Sequence, residues 1–298
     1  MKAALAPTPV ALELHNILFA TDFSPAAVAA LPFAAHLAQE FGARLYAVHA
    51  KAPESYALPA TEIWPIVNEQ LEKESRNLER ALREGYAALN SDVIILEGGV
   101  IDVVETVAEA KHADLIILGT SGRRGIGKFI LGSVAEEILR RATCPVLTVG
   151  PHATPDLTHE KMFHKILYAT DFSDGAPAAI TFAVGLAQEQ LARLTLLHVI
   201  DRPHTGDLVR PHELETSALD HLASFVAGDH GLLFEPKTVV VHGVPAEKIL
   251  EVAQREQADL IVLGLRRAKG YIRATHLPNA VAHQVISQAT CPVLTVRT

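Results

Sequence analysis

The feature that most constrains the fold of this chain is an internal duplication. The octapeptide ATCPVLTV occurs at residues 142–149 and again at residues 289–296, and an identity of this length is too long for coincidence in a 298-residue chain. Earlier in each copy, residues 17–24 return as residues 166–173 with a single substitution. Because repeats reveal architecture before any other signal does, we expect two copies of one fold.

Within each copy, short apolar runs alternate with amphipathic stretches. In the first copy the runs predict strands near residues 16–21, 44–50, 93–97, 115–119 and 145–149. The stretches between them predict helices near residues 25–41, 62–88, 102–111 and 134–141. Strands that alternate with helices form right-handed crossovers, so the sequence predicts a parallel sheet with helices on both faces.

Proline-rich and polar segments punctuate this pattern and predict the domain boundaries. We expect a disordered leader at residues 1–13, a first domain at 14–149, a linker at 150–162 and a second domain at 163–298.

Composition excludes several classes of function. The net charge of −8 makes a nucleic-acid backbone a poor partner, and no apolar run approaches the roughly 20 residues of a membrane helix. The two cysteines, Cys144 and Cys291, occupy equivalent places in the repeat and are typical of buried thiols in a reducing compartment. We therefore expect a cytoplasmic protein that spans no membrane and binds no nucleic acid.

A glycine-rich basic loop follows the strand predicted at residues 115–119. It carries Arg123, Arg124 and Lys128, and it leads into the helix predicted at residues 134–141. A strand, a glycine-rich loop and a helix start form a common phosphate-binding arrangement, because backbone N–H groups and the positive end of the helix face the anion. A solvated basic loop that merely closes a turn is the alternative.

Residues 122–128, GRRGIGK, match the beginning of a P-loop motif. The next residue is Phe129, so the hydroxyl that would bind Mg²⁺ in that motif is missing. We interpret the match as a coincidence between two glycine-rich loops.

Three motifs together resemble the universal stress protein (UspA-like) family in its tandem form: ATDFS at residues 20–24, a G-x2-G-x9-G-S pattern that starts at Gly119, and CPVLTV at residues 144–149. The resemblance covers residues 14–149 and 163–296. It implies two Rossmann-like, adenine nucleotide alpha hydrolase-like α/β domains. Each would have a five-stranded parallel sheet of order 3-2-1-4-5, with a ligand crevice at the carboxyl ends of strands 1 and 4.

The resemblance also implies ATP, with or without Mg²⁺, as the ligand of the first copy. In this interpretation Asp22 contacts the adenosine, the backbone of Ala20 and Ala50 lines the adenine slot, and the motif glycines and the helix start hold phosphate. The implied site residues are Ala20, Asp22, Ala50, Gly119, Gly122, Gly132, Ser133 and Val134, to which Arg123, Arg124 and Lys128 are added on charge alone.

The second copy departs from this pattern. Gly264 remains, but Arg267 stands in place of Gly122, and Pro278 and Asn279 stand in place of the final glycine and serine. Proline removes a backbone donor, so we expect no standard ATP binding there. An alternative is that side chains grip another anion, namely Arg266, Arg267, Lys269 and Arg273.

The remaining motifs carry little chemistry. None of the fifteen histidines has metal-ligand spacing, and His49 and His198 stand at equivalent strand ends, which favours a structural role. No catalytic triad stands out.

The leading hypothesis is a nucleotide-responsive regulatory module whose halves associate through their last strands and which forms a homo-oligomer. A slow ATPase that uses Asp22 and a structural protein with empty sites are the alternatives.

Overall fold

The computed structural model describes residues 12–51, 60–120, 131–155, 160–173, 176–201, 211–227, 231–265 and 280–297. The chain divides into two compact units. The first is Glu13–Pro151, and the second comprises His152–Thr298 together with Leu12 from the N-terminal segment.

The first unit alternates strands and helices in the predicted order. Its elements are β1 (Asn16–Ala20), α1 (Pro25–Glu40), β2 (Arg44–Lys51), α2 (Ala60–Gly85), β3 (Ser91–Glu97), α3 (Val100–Ala110), β4 (Leu115–Gly119), α4 (Ser133–Arg141) and β5 (Val146–Val149).

The strands of this unit form a parallel sheet of order β3-β2-β1-β4-β5, which confirms the expected α/β fold. Ala20 pairs with Leu118, so β1 and β4 end side by side although about a hundred residues separate them in sequence. From β1 the sheet continues through β2 and β3 on one side, and from β4 it continues through β5 on the other side. This point is therefore the topological switch at which open α/β sheets bind ligands.

Burial on both faces explains the apolar strands. Ile17, Leu18 and Phe19 expose none of their surface, and β4 is buried except at Gly119. Helix α1 begins where Ser24 caps it, with its hydroxyl accepting a hydrogen bond from the Ala27 N–H, and with Pro25 at the first position.

The second unit repeats this arrangement. Its elements are β6 (Lys165–Thr170), α5 (Ala176–Glu189), β7 (Arg193–Ile200), α6 (Pro211–Phe225), β8 (Lys237–His242), α7 (Pro245–Glu256), β9 (Leu260–Leu265), α8 (Ala280–Gln288) and β10 (Val293–Arg297). Within the unit the strand order is β8-β7-β6-β9-β10, again parallel.

The segments assigned to the leader and the linker take part in this second unit. A Cβ at Gly185, in the middle of α5, would lie 2.8 Å from the Cβ of Leu12, so the glycine makes room for that leader residue. From the linker, Ala153 and Met162 are buried, and the Met162 N–H donates to Oε1 of the buried Gln190. The linker therefore contributes side chains to the core at both of its ends.

One acidic residue in each unit fastens the first strand to its neighbour. The carboxylate of Asp114 accepts hydrogen bonds from the backbone N–H groups of His15 and Asn16, at 2.8 and 2.9 Å. Asp259 does the same for His164 and Lys165. The Ala-Asp-Leu sequence that both copies have where the fourth strand begins, at residues 113–115 and 258–260, thus has a structural role.

The two units differ at the turn that ends their first helix. Gly42 adopts a left-handed backbone with φ of 63°, and Leu191 stands at the equivalent position with φ of 53°. A leucine in this conformation brings its Cβ close to the following carbonyl oxygen. Leu191 is also 55% exposed, so it gains little from burial in return.

We expect Leu191→Gly to raise the free energy of unfolding of the second unit by about 1 kcal/mol, because glycine relieves the left-handed strain. Gly42→Leu is the matched control and should lower the stability of the first unit by a similar amount. Urea unfolding followed by circular dichroism measures both. A Leu191→Gly protein less stable than wild type would show that the leucine makes contacts that outweigh the strain.

Candidate functional site

The turn after β1 is fixed by two side chains that accept backbone hydrogen bonds. The Thr21 hydroxyl accepts from the Phe23 N–H at 3.0 Å, and Oδ1 of Asp22 accepts from the Ser24 N–H at 2.9 Å. These bonds hold Phe23 in a left-handed conformation, with φ of 58°, which is unusual for a bulky residue. The turn therefore presents Asp22 in one defined orientation at the switch point.

Asp22 has acceptor capacity left over. Its side chain is exposed, and the Ser24 N–H is its one hydrogen-bond partner among the residues that the structure describes. An ionised carboxylate has about four acceptor positions, so Oδ2 can accept from a donor on a ligand, such as a hydroxyl or an amino group.

The second part of the site is the beginning of α4. Gly132 is its N-cap residue with φ of −63° and ψ of 144°, and as a glycine it has no side chain that could cap the helix. Ser133 and Val134 follow in the first turn, and both are exposed. The first N–H groups of a helix have no partner inside the helix, and together with the helix dipole they favour an anion.

The two glycines at the ends of the motif serve different needs. A Cβ on Gly119 would lie 2.2 Å from the Ala26 carbonyl oxygen and 2.5 Å from its carbon, so only glycine lets α1 approach β4 this closely. A Cβ on Gly132 would meet no described atom within 4 Å, and its backbone conformation suits any residue. Packing explains Gly119, whereas the described structure gives no packing reason for Gly132.

The predicted site residues are only partly covered by the described ranges. Ala20 lies at the end of β1 and Ala50 near the end of β2, and both are partly exposed at the same edge of the sheet as Asp22. Gly122, Arg123, Arg124 and Lys128 lie outside the described residues. Their part in the phosphate site stays a prediction.

The second unit keeps the turn but surrounds it differently. Phe172 has φ of 57°, and Thr170 and Asp171 accept the same two backbone hydrogen bonds as their counterparts in the first unit. The Phe172 ring stacks on His198 and on His221 of α6, each with a centroid distance of 4.2 Å. Arg266, Arg267, Lys269, Arg273, Pro278 and Asn279 lie outside the described residues.

Each unit also has a histidine whose contacts the repeat alone did not specify. His49 Nδ1 lies 2.9 Å from the Thr21 carbonyl oxygen, and His198 Nδ1 lies 2.9 Å from that of Thr170. Since a carbonyl oxygen only accepts, Nδ1 carries the proton in both rings. Burial is the main cause that lowers the pKa of His198, which keeps its imidazole neutral.

The cysteines have no reactive character. Burial raises the pKa of Cys144 to about 11 and that of Cys291 to about 12, so both thiols stay protonated near neutral pH. Within the described ranges, no three or more histidine, cysteine, aspartate or glutamate side chains are grouped to hold a metal ion. No described helix has the length and apolar character needed to cross a membrane.

The contrast between the two motif glycines predicts opposite behaviour on substitution. Gly119→Ala should lower the free energy of unfolding by about 1–3 kcal/mol, because the new methyl group forces the helix and the strand apart. Gly132→Ala should cost less than about 1 kcal/mol, the loss expected at an N-cap. Urea unfolding compares the two proteins, and equal losses would contradict the packing role of Gly119.

Comparison with known proteins agrees with this architecture. A model of the universal stress protein family matches the chain twice, at residues 13–150 and 162–297. A universal stress protein of Mycolicibacterium smegmatis is 27% identical over 297 residues, which cover 95% of this chain and 97% of the relative. One from Methanocaldococcus jannaschii is 33% identical over 139 residues, 45% of this chain and 81% of its own length.

A solved structure shows the same fold over nearly the whole chain. The universal stress protein from Archaeoglobus fulgidus DSM 4304 matches it with a TM-score of 0.70 and 21% sequence identity, covering 95% of this chain and 98% of its own. Two successive family matches on two copies of the same parallel α/β unit establish that the chain is a tandem member of the universal stress protein family.

Proposed function

We propose that the first domain of this chain binds ATP and that the protein acts in the cytoplasm as a nucleotide-responsive regulatory module. The observation on which the proposal rests is the geometry at the start of α4. A Cβ on Gly132 would meet open space among the described residues, and none of those residues gives a packing reason for the glycine. Close approach of a phosphate to backbone N–H groups does account for it.

In this proposal, different residues at the sheet edge bind different parts of the nucleotide. The phosphates bind the first N–H groups of α4 and a hydroxyl, which are contributed by Gly132, Ser133 and Val134. At the other end, the open acceptor of Asp22 suits a hydroxyl or amino donor of adenosine, and the backbone at Ala20 and Ala50 borders the slot for the base. Arg123, Arg124 and Lys128 add positive charge to the phosphate end in this proposal, and Gly122 completes the motif.

In the second domain we propose that ATP is not bound. The Asp171 turn persists, but the sequence offers Pro278 where a phosphate would meet a backbone donor. The retained turn is accounted for by the fold, since its hydrogen bonds match those of the first domain. The protein would then hold one nucleotide per chain.

A slow ATPase at the same site is the second candidate. Its only described carboxylate at the switch point is Asp22, and one oxygen of that group already accepts from the Ser24 N–H. A positioned base or water-orienting residue is the usual requirement for hydrolysis, so binding without rapid turnover accounts better for the geometry. A structural protein with empty sites is the third candidate.

The first experiment is to identify what the purified protein carries. Denaturation followed by ion-exchange chromatography of the supernatant should release an adenine nucleotide at close to one per chain. Titration calorimetry with ATP on protein stripped of ligand should then give a stoichiometry of one. A protein that releases no nucleotide and takes up no ATP would contradict the proposal and favour a structural protein with empty sites.

Glycine variants locate the site. We expect the double variant Gly122→Val with Gly132→Val to lose ATP binding, because two side chains enter the space for the phosphates, while Arg267→Ala in the second domain binds as wild type does. Phosphate release measured on the same proteins separates binding from turnover. Sustained release that scales with protein and vanishes in the glycine variant would favour the ATPase.

A further inference from the structure

The turn that carries Asp22 depends on a residue from the neighbouring strand. Thr21 is held by two consecutive residues of β2: its N–H donates to the Val48 carbonyl oxygen at 2.9 Å, and its own carbonyl oxygen accepts from His49 Nδ1 at 2.9 Å. The His49 ring also lies 4.6 Å from the ring of Phe23, centroid to centroid, with a tilt of 33°.

One imidazole thus contacts the residues on both sides of Asp22. Phe23 keeps a left-handed backbone, which is unfavourable for a residue with a Cβ. Such a conformation persists only where the surroundings over-determine it. The ring contact and the hydrogen bond from His49 supply part of that restraint.

We propose that His49 is a positioning residue for nucleotide binding, which acts by holding the turn so that the open oxygen of Asp22 faces the ligand. This inference rests on the proposed function of the first domain. His49 itself need not touch the nucleotide. Asp22 is exposed, so the direction of its carboxylate is set by the turn's backbone and by its bond to the Ser24 N–H.

The chain contains a matched control for this role. His198 makes the same hydrogen bond to Thr170, at 2.9 Å, and stacks on Phe172. In the second domain, however, His221 covers Phe172 as well, and its ring is tilted only 8° from that of the phenylalanine. Two near-parallel rings at 4.2 Å cannot share one face of Phe172, so the phenylalanine lies between the two histidines. His198 lies in the second domain, for which we propose no ATP binding, so its removal should leave ATP binding by the first domain unchanged.

The test is titration calorimetry of the full chain with ATP. His49→Ala should weaken ATP binding about fivefold, the effect of one hydrogen bond. His49→Asn should restore most of the affinity, since the asparagine amide can donate to the Thr21 carbonyl oxygen from nearly the position of Nδ1. His198→Ala should bind ATP as wild type does, although its thermal unfolding temperature should also fall.

A double-mutant cycle tests whether His49 acts through Asp22. If it does, His49→Ala should cost little further affinity in an Asp22→Asn background, because coupled residues are not additive. Unchanged ATP binding in His49→Ala overturns the inference, and so does a loss that His49→Asn does not restore or that stays fully additive with Asp22→Asn. Wild-type protein that takes up no ATP overturns the proposed function and this inference together.

Discussion

The geometry of the first domain depends on the close approach of α1 to the end of β4. The Cα of Gly119 lies so near the Ala26 backbone that an added Cβ would stand 2.2 Å from its carbonyl oxygen. This approach keeps the Asp22 turn, which precedes α1, near the carboxyl end of β4. Gly119, the first glycine of the motif, thus lies beside the first turn of α1 because of a packing contact that involves no ligand.

The duplication allows the requirements of the fold to be separated from those of a ligand. Both units keep the acidic residue that fastens the first strand, the left-handed phenylalanine and the histidine on the neighbouring strand. Gly119 also has a counterpart, Gly264, in a second domain whose other motif glycines are lost. The glycine that the described packing does not need, Gly132, is among those replaced in the second copy, and this is the pattern expected of a position kept for binding.

Repetition and periodicity predicted the elements well, with boundaries that differ from the structure by a few residues. Periodicity could not give the strand order, because an alternation of strands and helices is compatible with several parallel arrangements; the order came from the family resemblance and is confirmed. The packing role of Gly119 depends on the distance between a helix and a strand, which spacing does not encode. The bond from His49 to Thr21 was likewise hidden, although the recurrence of a histidine at both strand ends pointed to it.

Asp22 links the proposed ligand site to the start of a helix by a short series of hydrogen bonds. Its Oδ1 accepts from the Ser24 N–H, and the Ser24 hydroxyl in turn accepts from the Ala27 N–H in the first turn of α1. In the proposed binding mode, a ligand donor at Oδ2 would contact the same carboxylate that orients the helix cap. If a nucleotide binds as proposed, occupancy of the site and fraying of the α1 N-terminus would be thermodynamically linked, and a bound nucleotide would then be reported at the surface of the first helix.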